Sequence, residues 1–510
     1  MLLRWLLGCC LSLAAVSNAA TSTQHGMQLP NINVTNDPTH RWGEPELAVD
    51  PKNPNHLVYA IVGEGFTNQC QAVAATDPNS PCALLNTVFG PQPVGLMTDV
   101  AHFSEVSIFV SFDRGRTWSR TADIPGRPGP ADLDRSEHGN GNDRGERHTR
   151  DDDPPRGIEI FPVEEEPGDP LLTVGPDGTF YLGWDAIHFA NLPTTIVNRG
   201  GIAVSKSTDG GLSWSDPILT GTTIDRPFFA TDLSTGVVYE ASTGQTPGPL
   251  ASGDAGTPAS GPNDRHLVSS TDGVHWTAPE PFGLPPGTLA SSMSAARGML
   301  ANVFVSKDPA ACGGTAPVIC MVFQTTTDAG AHWIRHLLPA PSGYTIATAG
   351  AFSTPLVAAD PAVAGHFSVA VLVNSASQFV IYQTHDSGST WTGPTYLTDD
   401  VTRTRYHDWM AYSPKGVLGL MWKTNQPGSG PTFPFSVFAA ISNDGGATFS
   451  KPLKVTTADS PAPDPRPFGN GGDDFSFIAL SEEAAYVAWA DWRPAERAGF
   501  VSVIDLRSFK

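Results

Sequence analysis

Strong helix formers are the first thing missing. Lys and Glu are sparse in this chain of 510 residues, and only 16% of it is charged. Without them little can sustain exposed helices, which points to an all-β protein. Basic charge is also short, with 30 Lys and Arg against 51 Asp and Glu, a formal net charge of −21. Such a surface repels phosphates and anionic lipid, so neither nucleic acid nor a membrane surface is an expected partner. Beyond the N-terminal segment no apolar run is long enough to cross a bilayer. Cysteines number only six, and no spacing among them resembles a zinc site.

Glycine and proline, by contrast, are abundant at 51 and 46 residues, as expected of a chain rich in tight turns. The first residues read as a secretory signal. Arg4 supplies a positive start, Trp5 to Val16 an apolar run, and Ser17-Asn18-Ala19 the small residues of a cleavage site. Cleavage after Ala19 leaves 20–510 as a single secreted or periplasmic domain. Cys9 and Cys10 depart with the signal. Cys70 with Cys82, and Cys312 with Cys320, are then expected to form two loop-stapling disulfides.

One short pattern recurs. Ser111 to Trp118 reads S-F-D-R-G-R-T-W, and related copies start at Ser207, Thr326, Thr384 and Ser442, with a shortened one from Ser270 to Trp276. Ser or Thr, then Asp, then Gly, then an aromatic fit a hairpin turn. The carboxylate accepts bonds from turn amides, Gly takes positive φ, and the aromatic folds back onto the sheet. A second pattern, strand-turn-strand, lies upstream of each copy, as in Glu46 to Ala60 and Asp408 to Trp422. Units begin near residues 44, 169, 225, 297, 353, 408 and 474. Spacings near 58 between the later Asp residues suit a four-stranded propeller blade.

These turns resemble the Asp-box (BNR) repeats of the sialidase-like, neuraminidase-superfamily β-propellers, and the resemblance spans nearly the whole mature chain. It implies an all-β propeller. The count of units predicts seven blades, with the six-bladed sialidase type as the alternative. The last unit lacks an outer strand, which Met27 to Val34 is expected to supply, closing the ring. Turns between third and fourth strands then share one face, and the irregular loops, including a polar insertion at about 121–168, share the other. Function is expected on the loop face. Asp151, Asp152 and Asp153 in the insertion could hold a structural calcium, and no other cofactor is expected.

Residues opening the innermost strands converge on the channel mouth, an acid-, arginine- and aromatic-rich set suited to sugars. The resemblance implies a glycoside hydrolase acting on extracellular, acidic glycans through a Tyr nucleophile, a carboxylate partner and an arginine cluster. Carried over position by position, Tyr406, Asp408 and Asp474 are the catalytic candidates. Arg41, Arg226, Arg297, Arg405, Asp169, Trp184 and Arg493 are the substrate-binding ones. His40-Arg41-Trp42-Gly43-Glu44-Pro45 stands where the family carries Phe/Tyr-Arg-Ile-Pro. That departure supports a second reading, a non-catalytic propeller binding glycan or protein. A polysaccharide lyase is a third. A monomer is expected in every case.

Overall fold

The computed structural model describes residues 29–37, 41–64, 105–124, 166–190, 197–222, 228–242, 266–284, 292–314, 319–343, 345–346, 355–374, 377–397, 405–425, 434–461, 475–494 and 497–509. These form seven four-stranded antiparallel sheets. From inner to outer strand, blade 1 is Arg41–Val49, Leu57–Glu64, Glu105–Ser111 and Ser119–Ile124. Blade 2 is Glu166–Val174, Phe180–Ala190, Val197–Ser207 and Ile218–Leu219. Blade 3 is Phe228–Asp232, Val237–Ser242, His266–Ser270 and Glu280–Pro281. Blade 4 is Met293–Ala296, Met299–Ser306, Cys320–Thr326 and Ile334–Leu337. Blade 5 is Leu356–Ala359, Phe367–Val373, Gln378–Thr384 and Thr392–Leu397. Blade 6 is Arg405–Tyr412, Leu418–Asn425, Phe435–Ser442 and Leu453–Lys454. Blade 7 takes Phe477–Leu480, Ala484–Asp491 and Ala498–Asp505 from the C-terminal end, and its outer strand, Asn31–Asn33, from the N-terminal end.

Each inner strand packs against that of the next blade, and blade 7 packs against blade 1, so the sheets close into a ring. This is the expected seven-bladed propeller with an N-terminal closing strand. The seam is tied by side chains as well as by the ladder. Asn31 donates to Val455 O at 2.9 Å and accepts from Thr457 N at 2.7 Å, so one residue of the blade 7 sheet also grips the end of blade 6.

The second and third strands carry unbroken apolar runs because both faces of every blade are covered by a neighbour. Phe367–Val373 is buried throughout. The core is accordingly a set of wedges between blades. One joins Trp184 and Leu182 of blade 2 to Val58, Ala60 and Ile108 of blade 1, and another joins Trp489 and Ile504 of blade 7 to Met421 and Val437 of blade 6.

The six recurrent turns all connect third to fourth strands and share one hydrogen-bond scheme. At the first, Ser111 Oγ donates to Asp113 Oδ1, Gly115 N donates to Ser111 Oγ, and Thr117 gives its N–H to Asp113 Oδ1 and its hydroxyl to Oδ2. In the shortened copy His275 Nδ1 takes the hydroxyl's place at 2.8 Å from Asp272 Oδ2. Gly211 shows why glycine is needed: its φ is +84°, and a Cβ there would sit 2.9 Å from Val110 Cγ1 of the preceding blade.

Every inner strand starts three or four residues from its expected position, and at blade 4, which starts at Met293 rather than near 297, the shift changes the role of the residue named there. Arg297 (φ 53°) and Gly298 (φ 80°) are both left-handed, and Ala296 pairs with Met299. They form the two-residue hairpin joining the first two strands, a turn that demands positive φ at both positions. Of the two expected disulfides, Cys312–Cys320 is formed. Cys70 and Cys82 lie outside the described residues, as do the signal segment and the 121–168 insertion beyond Ile124 and before Glu166.

Candidate functional site

Strand direction fixes the two faces. First-to-second and third-to-fourth turns lie at one end of every blade, the rear. Inner strands therefore begin, and second strands end, at the front. At that front end the inner strands of three blades carry the same irregularity. Blade 1 places two residues, Glu44 and Pro45, against Ile61 alone. Blade 2 places Asp169 and Pro170 against Trp184. Blade 6 places His407 and Asp408 against Trp422. The first bulge residue is left-handed in each case, with φ of 55° at Glu44, 41° at Asp169 and 47° at His407. Side chains other than glycine resist this region at a cost of roughly 1–3 kcal/mol each. Bulges re-aim side chains and cluster beside active sites. Here they place acidic and imidazole residues at the front ends of the inner strands and interrupt the ladder there.

The bulges are linked and desolvated. Asp169 N donates to Glu44 Oε2 at 3.2 Å, coupling blades 1 and 2. Asp408 is 6% exposed, and its Oδ1 has no hydrogen-bond partner among the described residues. Burial pushes its carboxyl up to about 8. Glu46, one position past the blade 1 bulge, is raised well above the carboxylate range by burial, against the opposing pull of the Leu172 amide. His407 is held well below the usual imidazole range, first by burial and then by the positive charge of Lys423. Lys423 itself is fully buried, its Nζ 4.9 Å above the Phe435 ring.

One step deeper, the residue after the blade 6 bulge reaches across the ring. Trp409 of blade 6 stacks with Phe228 of blade 3, ring centroids 6.2 Å apart and planes within 7°. Phe477 of blade 7 packs on Trp409 at 4.8 Å with a 30° tilt. Register places all three at the same level, opposite Ala241, Met421 and Ala488 of their second strands. Blades 3 and 6 are not neighbours, so the Phe228–Trp409 contact crosses the ring and floors the front mouth.

The predicted residues divide accordingly. Tyr406, Asp408 and Asp169 lie at the front ends of inner strands, with Tyr406 half-buried beside the blade 6–7 wedge. Arg405 begins the same strand but is 1% exposed, its guanidinium over Phe379 at 5.6 Å and Trp422 at 5.8 Å. Burial lowers it to about 10. Arg493 is committed to Asp491, with Nη2 2.7 Å from Oδ2, and to Thr457 Oγ1 at 2.8 Å. Two placements correct the sequence reading. Trp184 is fully buried in the blade 1–2 wedge, because the residue opposite a bulge points into the core. Arg297 lies at the rear, where it donates to Pro361 O and Ala362 O of blade 5, each at 2.9 Å. The backbone of Arg41 pairs with Glu64; Arg226 and Asp474 lie outside the described residues.

Sequence reasoning missed the Phe228–Trp409–Phe477 floor. Its signal was an aromatic recurring just after the front-end position of three inner strands, which reads equally well as core.

No family model and no curated protein matches the chain. Solved structures similar to it include a protein of unknown function from Dyadobacter fermentans, 14% identical over 94% of this chain and 98% of that one, with a TM-score of 0.43. The Hadza microbial sialidase Hz136 is 18% identical over 67% and 66% of the two chains, with a TM-score of 0.42. The α-L-arabinanase of Penicillium chrysogenum, complexed with arabinobiose, is 17% identical over 66% of this chain and 93% of that one, with a TM-score of 0.39.

Proposed function

We propose that the protein is an exported propeller glycosidase that cleaves extracellular glycans at the front mouth. The observation that carries this reading is Asp408: a buried carboxyl at a strained bulge, lacking a described partner on Oδ1 and held in its acid form at neutral pH. A carboxylic acid of raised pKa is what protonation of a glycosidic leaving oxygen requires. The second carboxylate of such a pair comes from the linked Glu44 and Asp169 bulges. Tyr406, which the sialidase-like resemblance implicates as nucleophile, precedes the same bulge as Asp408. Export is supported by the signal-like N-terminus and by the Cys312–Cys320 disulfide. No helix among the described residues is long and apolar enough to span a membrane.

The test is turnover of a panel of aryl glycosides, neutral, uronic and sialic, by the full chain and by Asp408→Asn and Tyr406→Phe. Loss of the acid should cut kcat about 10²–10⁴-fold, and wild-type activity should fall as pH rises through about 8, where Asp408 loses its proton. Undiminished turnover by Asp408→Asn, or silence of the wild type across the panel, would refute the assignment.

A further inference from the structure

The floor of the mouth suggests which sugars it accepts. Three rings from blades 3, 6 and 7 meet at one level across the axis, Phe228 and Trp409 within 7° of parallel and Phe477 tilted by 30° against Trp409. All three are only partly buried, whereas most of the aromatics in the wedges are not exposed at all. Inner strands usually present small or aliphatic groups to a channel. Here Leu171 and Leu356 occupy the corresponding positions of blades 2 and 5. An aromatic face carries negative quadrupole charge and attracts the polarised C–H groups of a pyranose or furanose ring. A flat apolar base with a few converging polar groups is the usual form of a small-ligand pocket.

The rim bears on charge. Glu44, Asp169 and Asp408 stand at the front of blades 1, 2 and 6, immediately above that floor. With Asp408 held in its acid form, the acidic character of the rim comes from Glu44 and Asp169, on a chain that carries −21 as a whole. The described arginines named for gripping an anionic sugar are placed for other work. Arg297 clamps a turn at the rear, Arg405 is sunk onto two rings, and Arg493 is paired with Asp491. An anionic ring would meet carboxyl groups above aromatic faces. An uncharged ring gains the stacking surface and can hydrogen-bond those same carboxyls through its hydroxyls.

We infer that the front mouth binds an uncharged sugar ring stacked on the Trp409–Phe228 platform. The acidic glycans suggested by the sequence resemblance do not suit it. This inference rests on the glycan-acting reading above and narrows its substrate class.

The test is calorimetric titration of the full chain with oligomers of glucose, galactose and arabinose, alongside sialyllactose, oligoglucuronate and chitosan oligomers. At least one neutral oligomer should bind tenfold or more tightly than any charged one. Trp409→Ala and Phe228→Ala should each weaken that binding at least tenfold, while Trp409→Phe stays within about threefold. Thermal unfolding of each variant checks that the ring remains closed. Preference for a charged oligomer, or unchanged affinity in folded Trp409→Ala and Phe228→Ala, would overturn the inference. Neutral binding through Trp409 without cleavage would remove the hydrolase reading and leave the platform standing. Cleavage that needs Asp408 but is indifferent to Trp409 and Phe228 would do the reverse.

Discussion

Asp408→Asn should stabilise the protein while abolishing its activity. The carboxyl moves from the ordinary aspartate value of 3.8 to about 8 on folding, because burial penalises its charged form. A raised pKa means that the folded chain binds more protons than the unfolded one between those values, so wild-type stability declines as pH rises through that window. The slope is about 1.4 kcal/mol per pH unit. Asn, of nearly the same shape and never charged, escapes this penalty. At pH 7 the full difference slightly exceeds about 4 kcal/mol; local opening and water entry reduce the expected gain to about 2–4 kcal/mol. Unfolding entropy near 2.1 cal/mol/K per residue, over the roughly 310 described residues, converts that to about 3–6 °C in Tm. Thermal scans of both proteins from pH 4 to pH 9 provide the assay. The advantage of Asn should be small at pH 4, grow steadily, and level off above about 8. A difference that stays flat with pH, or an Asn variant no more stable than wild type at pH 8, would refute the argument. A gain in stability joined to a loss of turnover would mark Asp408 as a residue retained at a thermodynamic cost for chemistry.

Two further outcomes follow from the rear face and the seam. The turn carboxylates behave oppositely to Asp408: Asp209 is lowered to about 2, chiefly by the Ser213 hydroxyl, and Asp386 to about 2 by Thr390. A depressed folded pKa supplies stability above the unfolded value and loses it as pH falls. Tm should therefore rise as pH drops from 8 toward 4 and then fall steeply between about 4 and 2; a monotonic profile in thermal scans would contradict this. Asn31→Ala removes the contacts to Val455 and Thr457 that bridge blades 6 and 7. It should cost about 1–3 kcal/mol by denaturant titration, and no change would show that the backbone ladder alone holds the seam.

Repetition made the fold readable. Five turns with one internal spacing, a shortened sixth, and the missing strand of the last unit were enough to place seven blades and their closure, because each repeat is a local structure with its own chemistry. Position along a strand was less readable. Arg297 looked like a strand opening but belongs to a two-residue hairpin, and only the pairing of Ala296 with Met299 reveals it. Trp184 looked like a platform for sugar, yet the bulge at Asp169–Pro170 turns it inward. The front-end carboxyls of Asp169 and Asp408 could be named because their distance from the recurrent turn is fixed by the strand lengths. The Phe228–Trp409 stack joins residues 181 positions apart on opposite sides of the ring. No local pattern encodes such a meeting.

The sheet that mixes Asn31–Asn33 with Ala498–Asp505 also sets an order of events. Partners 471 residues apart cannot meet until almost the entire chain has been made. Until then six blades can stand only as an open arc, with unpaired strands at both ends and the flank of blade 1 uncovered. Contacts of such long range are slow to form, and exposed strand edges invite association. An emerging chain would therefore need a chaperone, or rapid passage out of a crowded compartment, to protect its two ends until they join.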